Sequence, residues 1–288
     1  MSSEKLVAST KAKSPYADLP RANVLGVGVH ALDLDRAARL VLEAVDARHK
    51  GYVCVTGVHG VTQARRDPKF RRVLESAMLV VPDGMPTVWV GRWQGHRQME
   101  RVFGPDLLLE VCRRSVATGR THFLYGGKPG VVEDLEYNLR HWFPGIQIVG
   151  TFTPPFRDLS TSESSRLQQQ FAKVPPDIVW VGLSTPKQER FMAEYLPYLD
   201  CKVMLGIGAA FDLHTGRLKD APAWAKRAGL QWFHRFCQEP SRLWKRYLIN
   251  NSVFLVNILL QLSGIKRYQL THLEADSSTI PGPGPSNT

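Results

Sequence analysis

Short apolar runs rich in β-branched residues alternate along the chain with longer segments whose apolar residues recur at helical spacing. The short runs predict strands at Asn23–Val29, Tyr52–Thr56, Met78–Pro82, His122–Tyr125, Gln147–Gly150, Ile178–Leu183 and Lys202–Ile207. The longer segments predict helices at Asp33–Lys50, Gly104–Thr118, Pro129–Trp142, Ser162–Lys173 and Pro186–Leu196. The alternation is typical of an α/β protein.

The predicted strands are almost wholly apolar, which is typical of strands buried on both faces. We therefore predict a mostly parallel sheet flanked by helices. In such sheets a ligand binds beyond the carboxyl ends of the strands. Candidate site residues are expected at those ends.

The character of the sequence changes after Ile207. The segment 221–266 interleaves aromatic residues such as Trp232 and Trp244 with basic residues such as Arg235. This pattern predicts two or three amphipathic helices with a basic face, distinct from the sheet domain. Tryptophan and basic residues together suit a helix at a membrane surface.

Both ends of the chain are predicted to be disordered, up to about Leu19 and from Asp276, where Pro and Gly alternate at 281–285. The N-terminus lacks the apolar region of a signal peptide. The longest apolar stretch, Val253–Ile265, is interrupted by polar residues and is shorter than the roughly 20 residues of a membrane span. We therefore expect the protein to stay on the cytoplasmic side.

Charge adds a constraint on partners. The 288 residues carry a formal net charge of +11, which favours an anionic partner: nucleic acid, anionic lipid or a phosphate-bearing substrate. The four cysteines are scattered and form no CxxC pair, so they favour neither a zinc site nor a disulfide framework. A reducing compartment is the expected setting.

Two predicted strands end in polar residues. Asp83-Gly84 follows Met78–Pro82, and its carboxylate could act as a general base on a hydroxyl or could simply belong to a turn. The predicted strand Tyr52–Thr56 ends in Thr56 and is followed by Gly57. The Thr56 hydroxyl could bind a ligand, although a plain strand-to-helix turn explains this pair equally simply.

Two further strand ends open helices. Gly126-Gly127-Lys128-Pro129-Gly130 could bind a diphosphate through backbone N–H groups, or its glycines could serve packing alone. Ser184-Thr185-Pro186-Lys187-Gln188 could grip a nucleotide or sugar, or could be an ordinary helix start.

Two familiar motifs are disfavoured. Gly26-Val27-Gly28 resembles part of a dinucleotide fingerprint, but its glycines fall within a predicted strand and no acidic residue ends the next strand. Asp33-Leu34-Asp35 has the DxD form of a metal motif, yet it begins an amphipathic helix, where Asp33 is expected as the N-cap. The histidine spacings indicate no metal site.

Taken together, the strand-end residues resemble the WecG/TagA/CpsF glycosyltransferases over about Val24 to Val256. These enzymes build lipid-linked intermediates of wall teichoic acid, enterobacterial common antigen and exopolysaccharides. The resemblance is carried by the segments Val81–Met85, Glu100–Leu107, Phe123–Gly127, Gly182–Glu189, Gly206–Asp212 and Gly229–Trp232, and by Arg235, Glu239, Pro240 and Arg242.

The resemblance implies a Rossmann-like sheet domain, a UDP-sugar donor, inversion at the anomeric carbon, and no metal or cofactor. It makes Asp83 the catalytic base and gives Thr56, Arg101 and Gln188 the other polar positions of the active site. Residues implied to bind the nucleotide-sugar are Gly126, Gly127, Pro186, Lys187, Arg235, Arg242 and, as the third basic position, Arg246 or Lys245. Such arginines suit a departing diphosphate because Arg binds phosphate in a bidentate manner.

The implied organisation is a disordered tail (1–19), a Rossmann-like domain (20–210), a membrane-associating helical appendage (211–270) and a second disordered tail (271–288). The implied acceptor is a polyprenyl-diphosphate-linked saccharide at the inner face of the plasma membrane. Relatives indicate self-association, and no nucleic acid is expected as a partner.

The sequence departs from the family pattern at Val58-His59, at Pro86-Thr87 after Met85, and at Thr153-Pro154-Pro155. These residues are expected near the sugar or acceptor, so the donated sugar stays open. Two other functions also remain open: a nicotinamide-dependent oxidoreductase, and a non-catalytic module that binds anionic membrane or nucleic acid through the net positive charge.

Overall fold

A computed structural model describes Tyr16 and residues 18–270, except the side chains of Arg242, Lys245, Arg246 and Tyr247. The predicted tails, 1–19 and 271–288, therefore lie almost entirely outside the described residues. Tyr16 is buried, and its ring tilts against that of His49 at a centroid distance of 5.3 Å.

The predicted first strand, Asn23–Val29, is wrong. The segment forms an antiparallel hairpin of β1 (Arg21–Val24) and β2 (Val27–His30). Leu25 and Gly26 between them have positive φ angles of 53° and 87°. Two consecutive left-handed residues form the tight turn whose twist suits a hairpin. The apolar run conceals this turn because a leucine occupies a position where Asn or Gly is usual.

The main sheet contains six parallel strands: β3 (Gly51–Thr56), β4 (Leu79–Pro82), β5 (Thr121–Gly126), β6 (Gln147–Phe152), β7 (Ile178–Gly182) and β8 (Val203–Gly206). Their order across the sheet is β4-β3-β8-β7-β5-β6. The last of these strands along the chain, β8, thus lies in the middle, between β3 and β7. The predicted mostly parallel α/β sheet is confirmed.

Among the described residues, α1 precedes the main sheet, α2 to α8 lie between its strands, and α9 follows β8. These helices are α1 (Leu34–Asp46), α2 (Val58–Arg66), α3 (Pro68–Glu75), α4 (Met85–Trp93), α5 (Gly104–Ser115), α6 (Val131–Trp142), α7 (Thr161–Lys173), α8 (Lys187–Tyr195) and α9 (Ala210–His214). Five of them, α1 and α5 to α8, match the predicted helices. The other four have nine residues or fewer, and such short segments show little helical periodicity.

Helices cover both faces of the sheet. One core is built with α1, α5, α6 and α9, and the other with the hairpin, α2, α3, α7 and α8. Alternate residues of one strand enter opposite cores: Val53 and Val55 of β3 enter the first, and Tyr52 and Cys54 the second. Burial on both faces explains why the strands are continuous apolar runs in the sequence.

The N-cap predicted for α1 is confirmed. The Asp33 carboxylate accepts a hydrogen bond from the Arg36 backbone N–H at 2.7 Å. Asp35 forms an ion pair with Arg114 at 2.6 Å. The Asp33-Leu34-Asp35 motif therefore belongs to a helix start and its surface contacts.

Three further helices follow α9: α10 (Ala223–Arg227), α11 (Gln231–Gln238) and α12 (Pro240–Leu262). The long helix α12 packs against α2, and its Phe254 and Ile258 are buried in the second core. In the part of the chain that the structure describes, no helix combines the length and the apolar character that a membrane crossing requires.

Candidate active site

A cavity of about 530 Å³ lies at the carboxyl ends of β3 and β4. Its lining includes residues 57–60 after β3 and residues 83–86 after β4. Residues of α11 and α12 also line it. This is the position where ligands bind in open parallel sheets.

Asp83 follows β4 directly and lines this cavity. Its backbone N–H donates a hydrogen bond to the Thr56 carbonyl at 3.1 Å, which continues the pairing of β4 with β3. A Cβ atom at Gly57 would lie only 3.8 Å from an Asp83 carboxylate oxygen. Strand pairing therefore holds the Asp83 carboxylate at the sheet edge of the cavity.

Thr56, the last residue of β3, is buried, with 2% of its surface exposed. Its hydroxyl donates a hydrogen bond to the Cys54 carbonyl at 3.4 Å, and its methyl group would lie 2.9 Å from a Cβ atom at Gly60. Thr56 thus lies beside Asp83 in the sheet but outside the cavity lining.

Arg101 lines the cavity from the segment between α4 and α5. Its guanidinium donates a hydrogen bond to Oε1 of Gln231 at the start of α11, and it lies 4.6 Å from the centroid of the Phe103 ring. Asp106 is 3.8 Å away; burial raises the pKa of this carboxyl, while Lys226 and Arg101 oppose the rise. Arg101 therefore joins the sheet domain to the C-terminal helices at the rim of the cavity.

Gln188 on α8 is buried and joins two loops. Its Oε1 accepts a hydrogen bond from the Gly208 backbone N–H at 3.0 Å, and its Nε2 donates to Oε1 of Glu189 at 3.1 Å. The hydroxyl of Thr185, which lines the cavity, donates to the same Glu189 oxygen at 2.7 Å. Gln188 thereby ties the loop after β8 to the start of α8 from outside the cavity lining.

Four residues predicted to bind the nucleotide-sugar lie outside the lining of this cavity: Gly126, Gly127, Pro186 and Lys187. Gly126 has a φ angle of 135°, and a Cβ atom there would lie 2.6 Å from the Gly182 carbonyl oxygen. The Gly127 N–H donates to that same oxygen at 3.1 Å. Close contact between the ends of β5 and β7 therefore explains the glycine at 126, and diphosphate binding by this loop stays a prediction.

Of the basic residues predicted to bind the nucleotide-sugar from the C-terminal helices, Arg235 is the one whose side chain is described. Arg235 on α11 lines the cavity, and its buried Nε lies 3.9 Å from a Glu239 carboxylate oxygen. This Nε forms no hydrogen bond with any residue that the structure describes. Arg242 and Arg246 belong to α12, but their side chains lie outside the described residues.

Cations outnumber carboxylates among the described side chains of the cavity. Its charged lining comprises Arg101, Lys219, Lys226, Arg235, Asp83 and Asp220. Such an excess favours an anionic group such as a diphosphate. Within the described ranges, no group of three or more His, Cys, Asp or Glu side chains is arranged to hold a metal ion. Transfer without a metal stays a prediction.

Two of the three departures from the family pattern reach the cavity. Val58, His59 and Pro86 line it, whereas Thr87 and residues 153–155 do not. Asn250 of α12, which lines the cavity and contacts His59, was not predicted. No motif marks this contact, because it joins residues 191 positions apart in the chain.

Comparison with known proteins extends this description. Residues 22–268 match the Glycosyl transferase WecG/TagA/CpsF family. The chain is 32% identical to an N-acetylglucosaminyldiphosphoundecaprenol N-acetyl-beta-D-mannosaminyltransferase of Bacillus subtilis. The alignment spans 185 residues, which are 64% of this chain and 70% of the relative. A protein of the same name from Bacillus spizizenii is 30% identical over 186 residues, 65% of this chain and 70% of the relative. The chain therefore belongs to the WecG/TagA/CpsF family of glycosyl transferases.

Proposed function

We propose that this glycosyltransferase moves a hexose or N-acetylhexosamine from a UDP-sugar to a polyprenyl-diphosphate-linked saccharide in bacterial surface or exopolysaccharide synthesis. The observation that carries the proposal is the position of Asp83 at the sheet edge of a cavity whose other charged lining is mostly cationic. A carboxylate suits proton abstraction from an acceptor hydroxyl, and cations suit a departing diphosphate. The names of both Bacillus relatives include a diphosphoundecaprenol acceptor.

The proposed reaction is a single displacement with inversion. The acceptor oxygen forms a bond to the anomeric carbon while Asp83 takes the hydroxyl proton. The bond from that carbon to the UDP oxygen breaks, and its electron pair leaves with UDP. Arg235 and Arg101 stabilise the negative charge on UDP, together with Arg242 and Arg246, so that neither a metal nor a cofactor is needed.

Thr56 and Gln188 have supporting roles in this scheme because both are buried. Thr56 ends β3 beside Asp83 and accepts the hydrogen bond of the Asp83 backbone N–H, and Gln188 fixes the loop that follows β8. The donated sugar is a hexose or an N-acetylhexosamine in this proposal. Val58, His59 and Pro86, which depart from the family pattern, line the cavity and contribute to the choice of sugar.

We further propose that residues 20–210 form the catalytic domain and residues 211–270 associate with the membrane surface on its cytoplasmic side. The net charge of +11 favours such an anionic surface, and the acceptor named for the relatives is lipid-linked. Self-association, indicated by the family, belongs to the same proposal.

The two other functions have less support. An oxidoreductase would need a glycine fingerprint between a strand and a helix, but Gly26 lies in the turn of the β1-β2 hairpin. A non-catalytic binding module gives no reason for a carboxylate at the strand end within the cavity, and the family to which the chain belongs consists of glycosyl transferases.

The test is acceptor-dependent release of UDP. Purified protein is incubated with a panel of UDP-sugars and a short-chain lipid-diphosphate saccharide, with and without EDTA. We expect one donor to release UDP only when acceptor is present, and EDTA to have no effect. Release that EDTA abolishes would contradict the metal-independent mechanism, and release without acceptor would contradict transfer.

Asp83→Asn tests the assignment of the general base, because it removes the basic carboxylate and nearly preserves the shape of the side chain. We expect turnover to fall by about 10²–10⁴-fold while UDP affinity is retained. An Asp83→Asn variant with full turnover would show that another group accepts the proton.

A further inference from the structure

Apolar residues of α4 and α12 form a groove that is part of the same cavity. Trp89 and Trp93 of α4 form one wall and are 49% and 71% exposed. Leu255 and Leu259 of α12 form the other wall and are 59% and 55% exposed. An exposed apolar surface of this kind, rimmed by polar residues, marks a binding site for an apolar group.

The groove is continuous with the candidate active site. Helix α4 begins two residues after Asp83, and its first residues, Met85 and Pro86, line the same cavity as the carboxylate. The nine residues of α4 span about 13 Å at 1.5 Å per residue. The apolar surface therefore runs from the proposed reaction centre toward solvent over a length that suits an extended chain.

The walls of the groove are anchored in the fold. A Cβ atom at Gly229 would lie 2.8 Å from the Trp89 ring, so the loop before α11 packs against this side chain. On α12, Phe254 and Ile258 are only 5% and 6% exposed and hold the helix against the second core. A preformed groove binds its ligand without the entropic cost of ordering its walls.

Charge is separated along the cavity. Arg101 and Lys226 lie together at the Phe103 ring, 4.6 and 5.9 Å from its centroid, whereas the four residues of the groove walls are uncharged. An occupant with an anionic head and an apolar chain matches this arrangement. An acceptor made of a saccharide, a diphosphate and an isoprenoid chain has these parts in the required order.

We propose that the groove between α4 and α12 binds the isoprenoid chain of the acceptor. The inference rests on the proposed transfer to a polyprenyl-diphosphate-linked saccharide and assigns a subsite within it. Binding energy from the chain, remote from the reacting hydroxyl, then contributes to kcat/KM.

The experiment compares two acceptors that carry the same saccharide diphosphate, one with a geranyl chain and one with a methyl group. For the wild-type protein we expect kcat/KM to be at least about tenfold higher with the geranyl acceptor. Leu255→Ser is expected to lower only the geranyl value, by about threefold to tenfold, and to leave the KM for UDP-sugar unchanged. Equal values for the two acceptors in the wild-type protein would overturn the proposal.

Leu248→Ser is the matched control. Leu248 is also on α12 and is 63% exposed, but it lies outside the cavity lining. We expect it to keep the wild-type preference for the geranyl acceptor. If Leu248→Ser and Leu255→Ser had the same effect, the groove would have no special role.

Two further measurements separate this proposal from its premise. If neither acceptor releases UDP, the proposed function fails. Calorimetry with geranyl diphosphate and methyl diphosphate then tests the groove without turnover, and equal affinities for the two would refute the groove as an isoprenoid site.

Binding to phosphatidylglycerol vesicles distinguishes a bilayer lipid from the acceptor. If Leu255→Ser weakens vesicle binding and leaves the geranyl kinetics unchanged, the groove holds bilayer lipid and the proposal is wrong.

Discussion

The side-chain amide nitrogen of Asn250 on α12 lies 2.8 Å from Nδ1 of His59 at the start of α2. The amide donates to this nitrogen, because the amide oxygen of Asn250 accepts a hydrogen bond from Arg66 at 3.3 Å. One side chain of α12, only 7% exposed, is therefore bonded to both ends of α2. Since His59 lines the cavity, the docking of α12 is coupled to the shape of the site.

Asn250→Ala should reduce both stability and activity. It removes the hydrogen bonds to the half-buried His59 and the exposed Arg66, and one such bond typically contributes about 0.5–1.5 kcal/mol to the free energy of unfolding. Because His59 then loses its fixed orientation, we also expect a higher KM for the donor or acceptor. Urea denaturation and steady-state UDP release measure the two effects.

Asn138→Ala is the control for this prediction. The Asn138 amide donates to the His214 carbonyl at 2.8 Å, and neither residue lines the cavity. A similar loss of stability is expected, with KM unchanged. If both variants changed KM alike, the effect of Asn250 would be general loosening of the fold.

Arg235 should stabilise the departing UDP. Arg235→Ala is expected to lower kcat by about 10²–10³-fold, the usual effect of removing one group that stabilises developing charge. Arg235→Lys should recover part of the rate, because it keeps the charge but not the planar fork of donors. The measurement is kcat for UDP release at saturating substrates.

Arg190→Ala serves as its control, because the Arg190 guanidinium pairs with Asp67 on the surface, away from the cavity lining. It should have wild-type kcat. Equal rates for Arg235→Ala and the wild-type protein would remove Arg235 from the mechanism.

Gly126→Ala should destabilise the protein severely. The new Cβ atom would lie 2.6 Å from the Gly182 carbonyl oxygen, at a φ angle of 135° that alanine rarely adopts. We expect a loss of more than about 3 kcal/mol of unfolding free energy. Gly119→Ala has a positive φ of 64° but nothing within 4 Å of its Cβ position, so it should cost only about 1–2 kcal/mol. Urea denaturation compares the two, and equal losses would contradict the packing explanation for Gly126.

The buried histidines make stability depend on pH. His122 accepts a hydrogen bond from the indole N–H of Trp180 at 3.1 Å, and His30 accepts one from the Val80 N–H at 2.9 Å. Burial is the main cause that lowers the pKa of each to about 4. Between about pH 6.5 and pH 4 the unfolded chain therefore binds more protons than the folded one, and stability falls as the pH falls.

Each histidine should remove roughly 2 kcal/mol of unfolding free energy between about pH 7 and about pH 5. His122→Gln, which keeps an acceptor but does not titrate, should show a smaller loss over this interval by about that amount. Denaturation curves at the two pH values measure the difference. An unchanged pH dependence would mean that His122 is not neutral in the folded protein.

The sequence predicted the sheet well because strands buried on both faces are recognisable one at a time. It could not predict the β1-β2 hairpin, because the turn residue Leu25 is apolar and carries no turn signal. At the site, the position of Asp83 follows from a strand end and a topological rule. The contact between His59 and Asn250 depends on how a distant helix docks, and local spacing contains no information about that.

The central position of β8 has a consequence for biosynthesis. When the ribosome has delivered β7, β3 and β4 can pair with each other, and β5 can pair with both β6 and β7, but each half still lacks its β8 neighbour and has an open edge there. Open strand edges recruit other chains. Insertion of Val203–Gly206 closes both edges at once and joins the halves. The hazard of aggregation during translation is therefore set by how quickly β8 follows β7 out of the exit tunnel.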